Sequence, residues 1–500
     1  MRVDCDESRR RKPSGFLARV RLALVLAAAA LVAACASVES PPVKAKATAA
    51  PVAAPRAPAG APTGSERKRL VELFGGEYSA PAAERFLNGV LARLAPASET
   101  PSEPYRVTIL NSPIVNAFAL PSGDIFVTRG LLALANDASE VAAVMAHEIA
   151  HVTAHHAAQR AELEKTAALF SRVSSDVLAR PQEGQQVEAK MRLTIAHFSR
   201  EQEFEADQIG IKVIAKAGYD PYAAARFLSS LGRSTALRAS LLGQNASGER
   251  PDMMSTHPST PERIGKAIAA ARQIGAPGLG ETGRDGYLSA IDAVAFGDDP
   301  SEGLVRGVRF VHPKLGFAFA APDGFVLENQ SAALIGVGEG GAEALRLDSI
   351  AADDAAGLEA TIASGWIDGL KTGSVESLKI DELPAATAIA QGDQWSFRLG
   401  AVRLGPKVYR LIFAARSLTP AIDARFLASI KSMHRLSQQE SEGARPLKVT
   451  IVAPAAGDTP ETFAQRMAIA DRPLDHFLLL NGLERSARLD PSLRYKVIVE

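Results

Sequence analysis

Cysteine is nearly missing from these 500 residues: there are two, Cys5 and Cys35, and both precede the first helical pattern. A disulfide framework and a metal site built of thiolates are thereby excluded, so the fold must be held by its apolar cores. Aromatic residues are scarce at 6%, and neither sign of charge is in excess, with 56 Lys and Arg against 56 Asp and Glu. A chain so balanced offers no polybasic stripe, which argues against nucleic acid as a partner. Long apolar runs are absent too, and the one at residues 22–34 is too short to cross a bilayer comfortably. What is present is an ordinary soluble composition, 47% hydrophobic and 22% charged, in a chain long enough for several domains.

The N-terminal residues read as an address. Arg9, Arg10, Arg11, Lys12, Arg19 and Arg21 form a positive segment ahead of the apolar run. That run ends in Leu31-Val32-Ala33-Ala34-Cys35, which resembles the bacterial lipobox. The resemblance implies a signal peptide over residues 1–34 and acylation of Cys35. Because Ala36 follows rather than aspartate, it also implies anchoring at the periplasmic side of the outer membrane. A soluble periplasmic protein freed by ordinary cleavage is the alternative. Residues 1–34 carry 7 Arg and Lys against 3 Asp and Glu, so removing them takes +4 from a net charge of zero. Residues 35–65, rich in alanine and proline, read as a flexible tether.

His147-Glu148-Ile149-Ala150-His151 carries the chemistry. Side chains four apart lie on one helical face, so both imidazoles can share one ion, while Glu148 sits about 100° round the helix. That position suits holding a water beside a zinc ion better than ligating it. Asp137 followed by Glu140 marks the helix start, and Val141, Val144, Met145 and Ile149 give it an apolar face. A catalytic zinc usually has three protein ligands. The metzincin extension fails, because positions 154 and 157 are alanine. His155 lies a turn too far along, and His156 with it reads as a supporting or surface group. The third ligand must come from another helix. In Ser199–Asp207, the spacing of Glu201, Glu203 and Glu205 does not choose among them.

The two histidines followed some fifty residues later by Ser-Arg-x-x-Glu-x-Glu-Ala-Asp resemble the M48 peptidases, the family of the CAAX prenyl proteases and the bacterial periplasmic protease-chaperones. The resemblance spans residues 66–275. It implies one zinc per chain on His147, His151 and Glu203, with Asp207 supporting a ligand ring and Glu148 as general base. Asn116-Ala117-Phe118-Ala119 is similar to the family's substrate-edge strand, where the asparagine meets the substrate backbone. Ser255–Ile264 matches a further motif, implying that His257 either stabilises the oxyanion or latches the open coordination position, and that Arg263 stabilises charge. Tyr105–Leu110 and Asp124–Thr128 alternate as strands, the second forming a small edge hairpin with residues 118–120.

Residues 232–256 read as a loop over the site and residues 276–301 as a Gly/Asp-rich linker. Residues 302–436 alternate as strands over Val305–Val311, Phe317–Ala320, Ala344–Ile350, Gln394–Leu399 and Lys407–Ala415. Helical patterns lie near 355–371 and 420–433. This α+β domain resembles the PsbP/Mog1-like sandwich. The last segment, 446–500, resembles a LysM module in its βααβ order, which implies peptidoglycan as a partner. The whole reads as an α+β protein led by a mainly helical zincin-type domain. It implies an envelope endopeptidase acting on misfolded or unassembled proteins, or alternatively a chaperone or scaffold with a latched zinc site.

Overall fold

The computed structural model describes residues 64–162, 198–242, 253, 257, 260–330, 332–351 and 357–500. The leader, Cys35 and nearly all of the tether lie outside the described residues, as does most of the stretch 254–259.

Two helices, α1 (Gly64–Leu73) and α2 (Pro81–Leu94), open the fold. Proline at the first position of α2 suits a helix start, and Ala83, Leu87, Val90, Leu91 and Leu94 make its buried stripe. Strands β1 (Arg106–Leu110), β2 (Ala117–Ala119) and β3 (Asp124–Thr128) form a sheet in the order β1-β3-β2. The expected hairpin is the antiparallel β2–β3 pair, turned at Pro121–Asp124, where Gly123 takes a φ of 81°. β1 runs parallel to β3, and β2 lies at the edge.

Helix α3 (Arg129–Leu134) leads into α4 (Ala138–Thr153), which carries the histidine pair. Asp137 caps α4 by accepting from the Glu140 amide at 2.9 Å, while the Glu140 carboxylate turns back to the Asn136 amide. Every residue of α4 from Ala138 to His151 is buried, so this helix is the centre of the core and not part of its surface. Helices α5 (Arg200–Lys216), α6 (Ala223–Leu242) and α7 (Pro261–Ile274) surround it. The expected loop beginning at residue 232 is corrected here. α6 continues through Gly232 to Leu242, because Leu237 packs on the core and Arg238 holds Glu328 at 2.6 Å.

The expected linker 276–301 is corrected as well. It holds α8 (Arg284–Ile291) and β4 (Ala295–Phe296), with Tyr287, Leu288 and Ile291 buried. Glycines at either end gave the stretch its loop-like composition, yet the apolar residues between them are core residues. β4 pairs with β16 (Leu447–Val452), which pairs with β17 (Tyr495–Val499). Helices α12 (Pro460–Gln465) and α13 (Pro473–Leu480) complete this last segment. Leu447, Val449, Phe463, Phe477 and Val497 belong to the same apolar cluster as Val141, Met145 and Leu288. The fully buried Lys496 donates to the carbonyls of Ala133 at 2.7 Å and Ala135 at 2.6 Å, satisfying the end of α3.

Between these two stretches lies the α+β region. β5 (Leu304–Arg306), β6 (Arg309–His312), β7 (Phe317–Ala320) and β15 (His434–Arg435) form one sheet. The single strand expected over Val305–Val311 is broken by a turn at Gly307, whose φ is 57°. A seven-stranded antiparallel sheet has the order β11-β12-β13-β14-β10-β9-β8. Its strands are β8 (Val326–Asn329), β9 (Leu334–Val337), β10 (Glu343–Ala351), β11 (Glu376–Ile380), β12 (Leu383–Gln391), β13 (Ser396–Leu404) and β14 (Lys407–Ala415). Helix α9 (Leu358–Ala363) covers one face and α10 (Pro420–Lys431) the other. β12 escaped the pattern because its alanines, Ala385, Ala386, Ala388 and Ala390, carry no strand signal, although their alternation sends them to both faces. Among the described residues no helix is long and apolar enough to cross a membrane.

Deleting residues 446–500 should therefore unfold residues 64–296 too. Each lost large apolar side chain contributes about 1.5–3 kcal/mol, and the sum exceeds the usual 5–15 kcal/mol of net stability. Retained cooperative melting of the shortened chain, followed by circular dichroism, would contradict the shared core.

Burial, then Lys314 and Lys407, push His312 down to about 4. The folded state binds fewer protons there than the unfolded chain, so stability is lost as pH falls from about 6.5 towards 4. In denaturant melts at successive pH values, wild type should lose stability relative to His312→Phe as pH falls from about 6.5 towards 4, with a constant difference above that window. Parallel curves throughout would refute the assignment.

Candidate metal centre

Helix α4 delivers two imidazoles from successive turns. The His147 and His151 ring centroids are 4.6 Å apart, and their Nε2 atoms face each other at 3.0 Å. Glu203, Asp207 and Gly210 lie on one stripe of α5, at positions four and then three apart, and that stripe packs on α4. Gly210 sets the approach: a Cβ there would stand 3.1 Å from the His147 amide nitrogen and 3.3 Å from its Cα. With so little separating the helices, the Glu203 carboxylate reaches both rings, Oε2 at 3.6 Å from His147 Nε2 and Oε1 at 3.5 Å from His151 Nε2.

His257 enters from the far side. Its Nδ1 lies 2.8 Å from Glu203 Oε1 and 3.3 Å from His147 Nε2. Its backbone is anchored through Met253, whose amide donates to Val115 and whose carbonyl accepts from His257. The donor atoms of His147, His151, Glu203 and His257 all fall within 4.8 Å of one another, and all four residues are buried. Ligand bonds of about 2.0–2.1 Å in a tetrahedron require donors about 3.3–3.4 Å apart, and the contacts here straddle that value. The donor chemistry fits as well, since imidazole nitrogens and a carboxylate oxygen are the donors that zinc takes. The residues present suit zinc.

Charge around this cage is arranged by a second ring of contacts. His147 Nδ1 faces Asp207 Oδ1 at 3.0 Å. Arg263, capped into α7 by Thr260, donates to both Asp207 oxygens at 2.9 and 2.8 Å, and its Nη1 lies 2.6 Å from Glu203 Oε2. Burial alone would raise the Asp207 carboxyl, but His147 and Arg263 override it and hold it at about 2. Burial also opposes ionisation of Glu203, yet His257, His147 and Arg263 keep that carboxyl low. His151 is pushed well down, by burial first and then by the neighbouring rings. Glu148 moves the other way: burial raises its carboxyl. Its Oε1 lies 3.8 Å from His257 Nε2.

The three glutamates that spacing left equivalent are separated by the fold. Glu203 is buried in the cage, whereas Glu201 and Glu205 are exposed. The histidine pair after the motif also divides: His155 is exposed, while His156 is fully buried against His151. Arg263, expected to act on developing charge in the substrate, has its guanidinium on the two α5 carboxylates. Asn116 is buried just before β2, its amide and carbonyl both bonded to Thr128. Phe198 carried no signal in the sequence; it stacks on the His151 ring at 4.0 Å.

Comparison with known proteins agrees with this geometry. Residues 81–271 match Peptidase family M48, so this region is similar to the zinc metallopeptidase domains of that family. The chain is 29% identical over 218 residues to the Beta-barrel assembly-enhancing protease of Escherichia coli (strain K12), covering 42% of this chain and 43% of that one. It is 35% identical over 193 residues to Mitochondrial metalloendopeptidase OMA1 of Arabidopsis thaliana, covering 37% and 36%. The chain thus spans less than half the length of these relatives. Among solved structures, cyanobacterial PsbP from Synechocystis sp. PCC 6803 aligns with 26% of this chain and 91% of its own at 13% identity, with a TM-score of 0.22, too low to bear on the fold.

Replacing Arg263 by Met should leave two buried carboxylates facing each other, costing about 3–5 kcal/mol. Zinc content should then fall together with thermal stability. Full zinc occupancy in Arg263→Met, measured by atomic absorption after dialysis, would contradict this anchoring role.

Proposed function

We propose that this chain is a zinc-dependent endopeptidase of the cell envelope that cleaves misfolded or unassembled proteins. The observation that carries the reading is the buried Glu148 carboxylate beside the donor cage, its Oε1 3.8 Å from His257 Nε2. Zinc, when held by His147, His151 and Glu203, supplies Lewis acidity at the scissile carbonyl and acidifies water there. Glu148 takes the proton of the attacking water and returns it to the leaving amine; burial raises its basicity for that task. β2 is an edge strand of its sheet among the described residues, and an extended substrate could pair along it with Asn116 beside the backbone. Arg263 and Asp207 hold Glu203 and His147 in place. The resemblance to the Beta-barrel assembly-enhancing protease supports envelope proteins as substrates.

His257 favours a gated version of this activity. Its Nδ1 lies 2.8 Å from Glu203 Oε1 and its Nε2 3.8 Å from Glu148 Oε1, contacts that a latch on the open coordination position would make. Cleavage would then require His257 to withdraw. A mainly chaperone or scaffold role is the second reading that this contact supports. The lipid anchor at Cys35, the outer-membrane location and the LysM-like character of residues 446–500 belong to the same proposal. For that last segment, burial of its apolar residues in the peptidase core favours packing over peptidoglycan binding.

Glu148→Gln should retain zinc and lose cleavage of an unfolded envelope protein by about 10²–10⁴-fold. His257→Ala should retain zinc on the three remaining ligands and cleave at least as fast as wild type. Zinc loss in the first variant would undo the division of roles, and no cleavage by wild type or His257→Ala would favour the scaffold.

A further inference from the structure

His147 and His151 are steadied by different means. The His147 Nδ1 meets a carboxylate directly, Asp207 at 3.0 Å. The His151 Nδ1 meets a third imidazole: His156 Nδ1 stands 2.9 Å away, and His156 Nε2 lies 3.3 Å from Glu205 Oε2. His156 is fully buried, although it follows the metal motif in a polar stretch.

Its position depends on a break in the helix. Were α4 to continue unbroken, residue 156 would lie about 140° round from His151 and could not face it. Instead α4 ends at Thr153, His155 takes a left-handed φ of 54°, and the chain re-enters helix at His156. A left-handed conformation at a β-substituted residue is unfavourable and persists where the surroundings impose it. Here it swings His156 back under the metal ring. Phe198, stacked on the His151 ring with Arg160 over its own ring, fixes the His151 plane.

We infer that Glu205 and His156 form a relay that fixes His151 in the tautomer able to ligate the metal, making both of them positioning residues; this rests on the metallopeptidase reading above. The chemistry runs in one direction. A carboxylate only accepts, so His156 keeps its proton on Nε2, facing Glu205. Its Nδ1 is then a lone pair and accepts from His151 Nδ1–H. His151 is left with its lone pair on Nε2, aimed into the cage at 3.0 Å from His147 Nε2. Orientation of this kind by a neighbouring hydrogen bond also raises the ligand's basicity. Glu205, indistinguishable from Glu203 by spacing, thus serves the same metal from outside the cage.

The test uses the full chain with histidine-selective nitrogen-15 labelling and a chromophoric chelator competing for zinc. In the metal-free wild type, long-range proton–nitrogen spectra should show His151 protonated at Nδ1. His156→Phe should mix the two tautomers and lower zinc affinity about 10–100-fold. His156→Asn, which keeps an acceptor beside His151, should recover most of that loss. Glu205→Ala alters an exposed residue and should lower affinity without moving the melting temperature. Wild-type affinity and an unchanged His151 tautomer in Glu205→Ala overturn the relay, even if His156→Phe fails to fold. A wild type that binds no zinc would instead sink the metallopeptidase reading, and the tautomer spectra of the metal-free chain would still decide the relay.

Discussion

The close approach of α4 and α5 at Gly210 is the constraint on which the centre depends. Two imidazoles on one helix define a direction but not a site. The site exists because a second helix comes near enough for a short carboxylate side chain to reach both rings. A glycine at the crossing and the fully buried Ala206 beside it permit that distance, and the stripe Glu203–Asp207–Gly210 turns acidic residues inward that would otherwise be solvated. Arg263 then neutralises what the approach has buried, one guanidinium against two carboxylates.

Holding those helices is a task shared by distant parts of the chain. α4 is buried all round, which a domain of ordinary size achieves only with elements on every side. The last segment braces those neighbours, β16 packing on α8 and Lys496 ending α3. The α+β region between residues 302 and 436 leaves and rejoins this core through neighbouring strands, β4 and β16. The metal-binding helix and the C-terminal segment therefore share one apolar core.

The helical centre was legible in residue spacing because its signals are local. The metal motif, the Asp137 cap and the apolar face of α4 all lie within one short stretch, and M48 likeness added Glu203. Strands rich in alanine and the helix at Arg284–Ile291 were not legible, since their identity comes from neighbours and not from intrinsic preference. The separation of His156 from His155 was likewise hidden: it hangs on a single left-handed residue where the sequence shows only two adjacent imidazoles.

By itself the sequence determined the chemistry on offer: two rings four apart, a glutamate beside them, and an acidic helix downstream. Helical periodicity makes such pairings nearly obligatory wherever the helix forms. Residue spacing left Glu201, Glu203 and Glu205 equal, and only the tertiary structure put Arg263 against two α5 carboxylates and His257 against the cage. Those outcomes depend on how far apart two helices lie and on which way a turn points, distances no residue carries on its own.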